Sequence, residues 1–180
     1  MTIGMLIEGF EGSDFSGHNW QMNGDSDWFI QGDEVYDGNY AAKSGDVGNN
    51  QSSEISVEYN VLHQGSINFF AKVSSEQGSS GTIYDGLIFY INDEQQALIG
   101  GESDWEEYSF NVPPGVHNFR WVYSKDQGAS AGDDCAWIDG IVFPPGSIPP
   151  LNINFGDLNS DGTVNVLDVV LTVSSVLGYA

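Results

Sequence analysis

Apolar and polar side chains alternate through much of residues 66–143, and no helical period appears before the prolines at 144–150, which restricts this stretch to β-structure. Ile67, Phe69, Ala71 and Val73 alternate with Ser66, Asn68, Phe70 and Lys72, and Tyr108, Phe110 and Val112 alternate with Glu107, Ser109 and Asn111. Leu87, Phe89 and Ile91 keep the same period, as do Phe119, Trp121 and Tyr123. Stretches rich in Gly, Ser and Asp, at 74–81 and 126–134, supply the turns. Many strands at this spacing, closed by one at 136–143, predict an all-β fold: an antiparallel jelly-roll β-sandwich of two sheets.

Four of the six prolines fall within 144–150, a segment unsuited to continuing a sheet, so a linker is expected there. The expected organisation is a sandwich at 1–143, a linker at 144–150, and a small calcium loop with a helix at 151–180. The 26 acidic against 4 basic residues give a net charge of -22, which repels phosphate backbones and excludes nucleic acid and anionic membranes as partners. Such acidity serves either solubility in a salty habitat or divalent cation binding. A 40% hydrophobic content with 13% aromatics suffices for a core. Cys135 is the only cysteine, so no intrachain disulfide forms and a buried position is expected. The N-terminal residues lack a basic stretch and a long apolar run, so no secretory signal is expected in them. The most apolar segment, 164–177, is broken by Asn165 and Asp168, so no membrane span is expected.

Residues 157–168 place oxygen-bearing side chains at positions 1, 3, 5, 9 and 12 of a twelve-residue loop: Asp157, Asn159, Asp161, Asn165 and Asp168. Gly162 stands at position 6, where the chain must bend sharply, and the Thr163 carbonyl at position 7 adds a ligand. A hard cation takes six to eight oxygens at roughly 2.3–2.6 Å, and this spacing wraps such oxygens around one Ca2+ ion. An ion-free, Asx-rich turn would use the same residue types, but five oxygen positions and a glycine coincide here. Val166, Leu167, Val170, Leu171, Val173 and Leu177 then lay an apolar stripe along a predicted helix that Gly178 stops.

Gly156 to Asp168, followed by an apolar helix ending Val176-Leu177-Gly178, resembles a type I dockerin repeat. The resemblance implies Asp157, Asn159, Asp161, Asn165 and Asp168 as side-chain ligands. Dockerins usually pair two such repeats to bind a cohesin, and one repeat is present here. The apolar stripe must be covered by the chain's own sandwich or by another subunit, itself or cohesin-like, through residues 148–180.

A looser resemblance covers residues 8–143. Phe10-Glu11, Trp20, residues 25–28, residues 38–41, Trp105, Pro114-Gly115 and the closing Trp137-Ile138-Asp139-Gly140-Ile141 are similar to the MAM and cleaved-adhesin jelly rolls, although the paired MAM cysteines are missing. The likeness implies adhesion or lectin-like binding. It also implies a structural calcium between Glu11 and Asp139, with Asp25 or Asp27 as helpers. Asp139 lies in phase with Trp137, Ile141 and Phe143 on a strand whose buried face should be apolar. Either a cation compensates its charge, or Gly140 forms a bulge that turns it to solvent.

Trp20, Trp28, Tyr36, Tyr40 and Trp105 sit among Asn, Asp and Gly, where they form either an aromatic platform for sugar rings or part of the core. His18, His63 and His117 lack HExxH spacing, and neither a GxSxG elbow nor a phosphate-binding glycine loop occurs, so no enzyme is expected. The expectation is an extracellular or cell-surface calcium-binding module for assembly or adhesion. The alternative is a carbohydrate-binding module that takes polysaccharide.

Overall fold

The structure is a computed structural model that describes residues 6–147, within the first of two compact units, Met1–Pro149. The loop and helix expected at 151–180, and the calcium ligands Asp157, Asn159, Asp161, Thr163, Asn165 and Asp168, lie outside the described residues. The described chain is all-β. Its first six strands are β1 (Ile7–Glu8), β2 (Gln21–Gly24), β3 (Phe29–Gln31), β4 (Ala41–Lys43), β5 (Ser52–Val61) and β6 (Gly65–Ser74). The others are β7 (Gly86–Ile91), β8 (Glu94–Gly100), β9 (Glu106–Val112), β10 (Gly115–Ser124), β11 (Cys135–Val142) and β12 (Gly146–Ser147).

Two antiparallel sheets form the jelly-roll sandwich. The first runs β3-β4-β11-β6-β9, with β1 on the C-terminal end of β11; the second runs β12-β5-β10-β7-β8, with β2 on β5. The period-two residues named above form the core. Ile67, Phe69, Ala71 and Val73 of the first sheet face Val57, Leu87, Phe89, Phe119 and Trp121 of the second, all without solvent exposure. Phe69 meets Phe89 at 4.8 Å and Trp121 at 5.4 Å between ring centroids, both edge-on, so the two sheets lock through directional aromatic contacts as well as buried area.

Two details differ from the sequence expectation. Gly146 and Ser147, within the expected linker, pair with Val61 and Asn60, and the Pro145 carbonyl accepts the N–H groups of Leu62 and His63. Proline lacks a donor but keeps its acceptor, so it is tolerated beside an edge strand such as β12. On β11 the phase breaks at Gly140 (φ +56°), where the pairing with β6 shifts register between Asp139 and Val142. Ala136 and Ile138 join the core before the break, and Ile141 and Phe143 join it after. Trp137 and Asp139 therefore sit on the outer face of the first sheet, not in phase with Ile141 and Phe143.

Candidate functional site

The outer face of the first sheet carries the candidate site, and residues 32–40, between β3 and β4, arch over it. Glu11 and Asp139 anchor that arch from two sides. Glu11 accepts the backbone N–H groups of Asn39 (2.8 Å) and Tyr40 (3.1 Å) and the Asn39 side-chain amide (3.0 Å). Asp139 Oδ2 accepts from the N–H groups of Tyr36 (3.1 Å) and Asp37 (3.2 Å), and its Oδ1 accepts from Gly140 (2.7 Å). The bulge does turn Asp139 outward, but the arch covers it, leaving 1% exposed. Gly38 (φ +72°) makes this approach possible, since a Cβ there would stand 2.3 Å from Glu11 Oε1.

Glu8, Glu11, Asp37 and Asp139 line one cleft of about 410 Å³. Burial pushes the Asp139 carboxyl above its ordinary pKa, and the Glu11 charge adds to the push, while the three N–H donors hold it down. Glu11 goes the other way, lowered by its hydrogen bonds from Asn39 and Tyr40. Glu8 loses ionisation to burial but regains more from His18 and the Phe10 N–H, so its pKa falls. Its Oε2 lies 2.9 Å from His18 Nδ1, both residues being buried. Four carboxylates line this one cleft, and two of them serve as clamps on the arch, but no three of them bring oxygens within 4.8 Å of one another.

Asp25 and Asp27 do not line this cleft. Asp25 follows β2 on the second sheet and accepts the Ser52 N–H at 2.9 Å, which is a turn-closing role. Trp20 (9% exposed) and Trp28 (3%) belong to the core, so neither ring can form a binding platform, and Tyr40 packs half-buried against that core.

Tyr36 and Trp105 do come together. Tyr36 stacks on Phe70 of β6, with centroids 3.5 Å apart and rings 11° from parallel, yet stays 44% exposed, so its other face is open. The Trp105 ring stands 6.1 Å away at 59°, and its indole N–H donates to Glu34 Oε1 at 3.1 Å. Glu34 also binds the Lys72 ammonium at 3.0 Å.

Beside them a row crosses four strands in register: Phe29 on β3, Lys43 on β4, Trp137 on β11 and Lys72 on β6. Lys43 Nζ lies 5.7 Å from the Phe29 ring centroid and 5.5 Å from that of Trp137, and Lys72 covers Trp137 at 5.7 Å. Phe29 is 41% exposed and, with Gln31, Asp33 and Glu34, rims a shallow cleft of about 390 Å³. The sequence reading missed Phe29; Trp137 lies outside the core cluster but is 4% exposed, covered by the two lysines. On the opposite sheet the Arg120 guanidinium stacks 4.3 Å from the Tyr90 ring and pairs with Glu54 at 3.0 Å.

Cys135 is buried, and burial pushes its thiol up to about 12. Among the described residues, the one acidic trio whose oxygens all lie within 4.8 Å of one another is elsewhere, at Glu76, Asp85 and Asp126. No helix among the described residues is long and apolar enough to cross a membrane.

No protein-family model matches the chain, and no curated protein sequence does. Solved structures do. The secreted serine protease VesC from Vibrio cholerae matches 71% of this chain at 22% identity and a TM-score of 0.56; the match spans 24% of VesC. A cleaved-adhesin domain of Lys-gingipain from Porphyromonas gingivalis matches 79% of the chain and 99% of that domain, at 13% identity and 0.55. TmCBM61, solved in complex with β-1,4-galactotriose, matches 76% of the chain and 94% of that protein, at 16% identity and 0.53. At these identities the likeness is one of fold, and the described domain shares the jelly-roll sandwich of cleaved-adhesin and carbohydrate-binding domains.

Proposed function

We propose that the described domain is a non-catalytic, extracellular or cell-surface binding module that takes polysaccharide on the outer face of its first sheet. The observation that carries this reading is Tyr36, a ring backed by Phe70 on one side and open on the other. Sugar rings present patches of C–H groups that pack on such a ring, while their hydroxyls need donors and acceptors close by. Glu34, Asp33, Gln31, Lys43 and Lys72 supply both around Phe29, Tyr36 and Trp105. The shared fold with a domain solved with β-1,4-galactotriose supports the reading. Affinity electrophoresis of the full-length chain through gels containing β-1,4-galactan, other neutral polysaccharides or acidic ones tests it. Retardation in at least one gel is expected, and unretarded migration in all of them rejects it.

Calcium serves this module as a stiffening ion in the proposal. A Ca2+ ion between Glu11 and Asp139 would join the N-terminal segment to β11. A second reading rests on the loop spacing at 157–168: calcium orders that loop, and residues 148–180 dock on another subunit, itself or cohesin-like. Light scattering with calcium and then with chelator tests this reading against an Asp157→Ala, Asp168→Ala variant. Reversible growth in particle size that the variant loses supports docking, and an unchanged monomer rejects it.

A further inference from the structure

Glu76 and Asp85, at the two ends of the β6–β7 loop, converge with Asp126 of the β10–β11 loop at one end of the sandwich. Glu76 follows β6, Asp85 precedes β7 and Asp126 follows β10, so the group spans both sheets. Each offers a carboxylate oxygen, and these oxygens all lie within 4.8 Å of one another. Oxygens that share one calcium ion at 2.3–2.6 Å stand at most about 5 Å apart, so this spacing suits a common coordination shell. The site lies away from the Glu11 and Asp139 cleft, because Asp139 pairs with Phe70 in mid-strand whereas Glu76 lies beyond the end of β6.

Closeness of acids alone would not imply an ion. Asp85, however, is completely buried (0% exposed). Its Oδ1 accepts the Asp126 N–H at 2.9 Å, but its Oδ2 receives no hydrogen bond, and neither does the buried Oε2 of Glu76. A buried carboxyl oxygen without a donor is costly to a fold unless a cation completes it. The nearby ammonium of Lys125 stands 3.6 Å from Asp85 Oδ2, and its hydrogen bonds go to Ser130 Oγ (2.7 Å) and to Asp134. One positive charge is thus shared between Asp85 and Asp134, with Glu76 and Asp126 alongside. The loop after β10 is shaped around the cluster. A Cβ on Gly128 would fall 2.7 Å from Asp126 Oδ1 and 3.4 Å from Glu76 Oε2, and the Asn49 amide fixes the Gln127 and Gly128 carbonyls at 3.2 and 2.6 Å.

We propose that Glu76, Asp85 and Asp126 bind a hard divalent cation, calcium, which ties the β6–β7 loop to the β10–β11 loop. The inference stands apart from polysaccharide recognition and from the C-terminal loop. Bound calcium is counted by equilibrium dialysis at about 1 mM free ion, the range in which extracellular modules fill. Every arm is the full-length chain carrying Asp157→Ala and Asp168→Ala, so the C-terminal loop contributes to none. Glu76→Gln should lose one equivalent of calcium, as should Asp126→Asn. Glu76 is the safer variant because it is part-exposed and its Oε2 has no other partner. Glu102→Gln, an exposed acid bound to Ser74, should keep the full count. Near-UV circular dichroism checks that each variant is folded. An unchanged count in Glu76→Gln, a parent that binds no calcium, or an equal loss in Glu102→Gln would each overturn the proposal.

Discussion

Asp139 and Glu8 show how single carboxylates couple this fold to pH. The Asp139 pKa is raised, so the native state favours its neutral form; its contribution to stability is present at low pH and is lost as pH rises through the raised value. Glu8 and Glu11 have lowered pKa values, so their contributions are present above the ordinary glutamate range and fade as pH falls through the lowered values. In chelator, Asp139→Asn should therefore flatten the decline in stability just above the ordinary aspartate pKa, measured as urea midpoints across pH; an unaltered slope would contradict the assignment. Glu8→Ala leaves the Phe10 N–H and buried His18 without their acceptor, which should cost about 2–4 kcal/mol in urea unfolding. A cost below about 1 kcal/mol would mean that water replaces the carboxylate. Sequence reading named Glu11 and Asp139, which both hold the arch, and Tyr36 and Trp105, whose rings lie 6.1 Å apart. It could not separate Trp28, which enters the core, from Phe29, which leaves it, because adjacent strand residues face opposite ways and the phase through 25–31 is too short to read.

At the scale of elements, β11 decides which chemistry reaches the surface. The sequence reading put Trp137 and Asp139 in phase with Ile141 and Phe143, whereas Ala136 and Ile138 face the core before Gly140, which was legible as a bulge. The consequence was not, because a bulge reverses the phase downstream and only the partner strand fixes where this happens. The arch at 32–40 was likewise hidden, since its folding over β11 depends on N–H bonds to Glu11 and Asp139 from distant parts of the chain. Gly140→Ala tests this element. Its φ of +56° disfavours any Cβ by about 1–2 kcal/mol, and the added methyl would meet Phe70 at 3.3 Å and Tyr36 at 3.8 Å. The expected outcome is a drop of that size in urea stability, together with weaker glycan retention as Tyr36 is displaced. Lower stability with undiminished retention would separate the bulge from the binding face.

Over the whole molecule, a net charge of -22 sets self-repulsion against a well-packed aromatic core. Raising monovalent salt from about 20 to 500 mM shortens the screening length from tens of ångströms to a few and should raise the melting temperature by about 2–4 °C. A fall on adding salt would mean that specific ion pairs such as Arg120–Glu54 outweigh the repulsion. The fold class was legible from alternation over long strands, whereas the Glu76, Asp85 and Asp126 trio was not, because loops far apart in sequence assemble it. Polysaccharide binding at the first sheet is measured directly by calorimetric titration of an oligosaccharide from a retarding polysaccharide into the wild-type chain, Tyr36→Ala and Tyr90→Ala. Tyr36→Ala should weaken binding about tenfold, the loss of one ring contact of roughly 1–1.5 kcal/mol, while Tyr90→Ala binds as wild type. Binding untouched by Tyr36→Ala and abolished by Tyr90→Ala would move the site to the opposite sheet and contradict this placement.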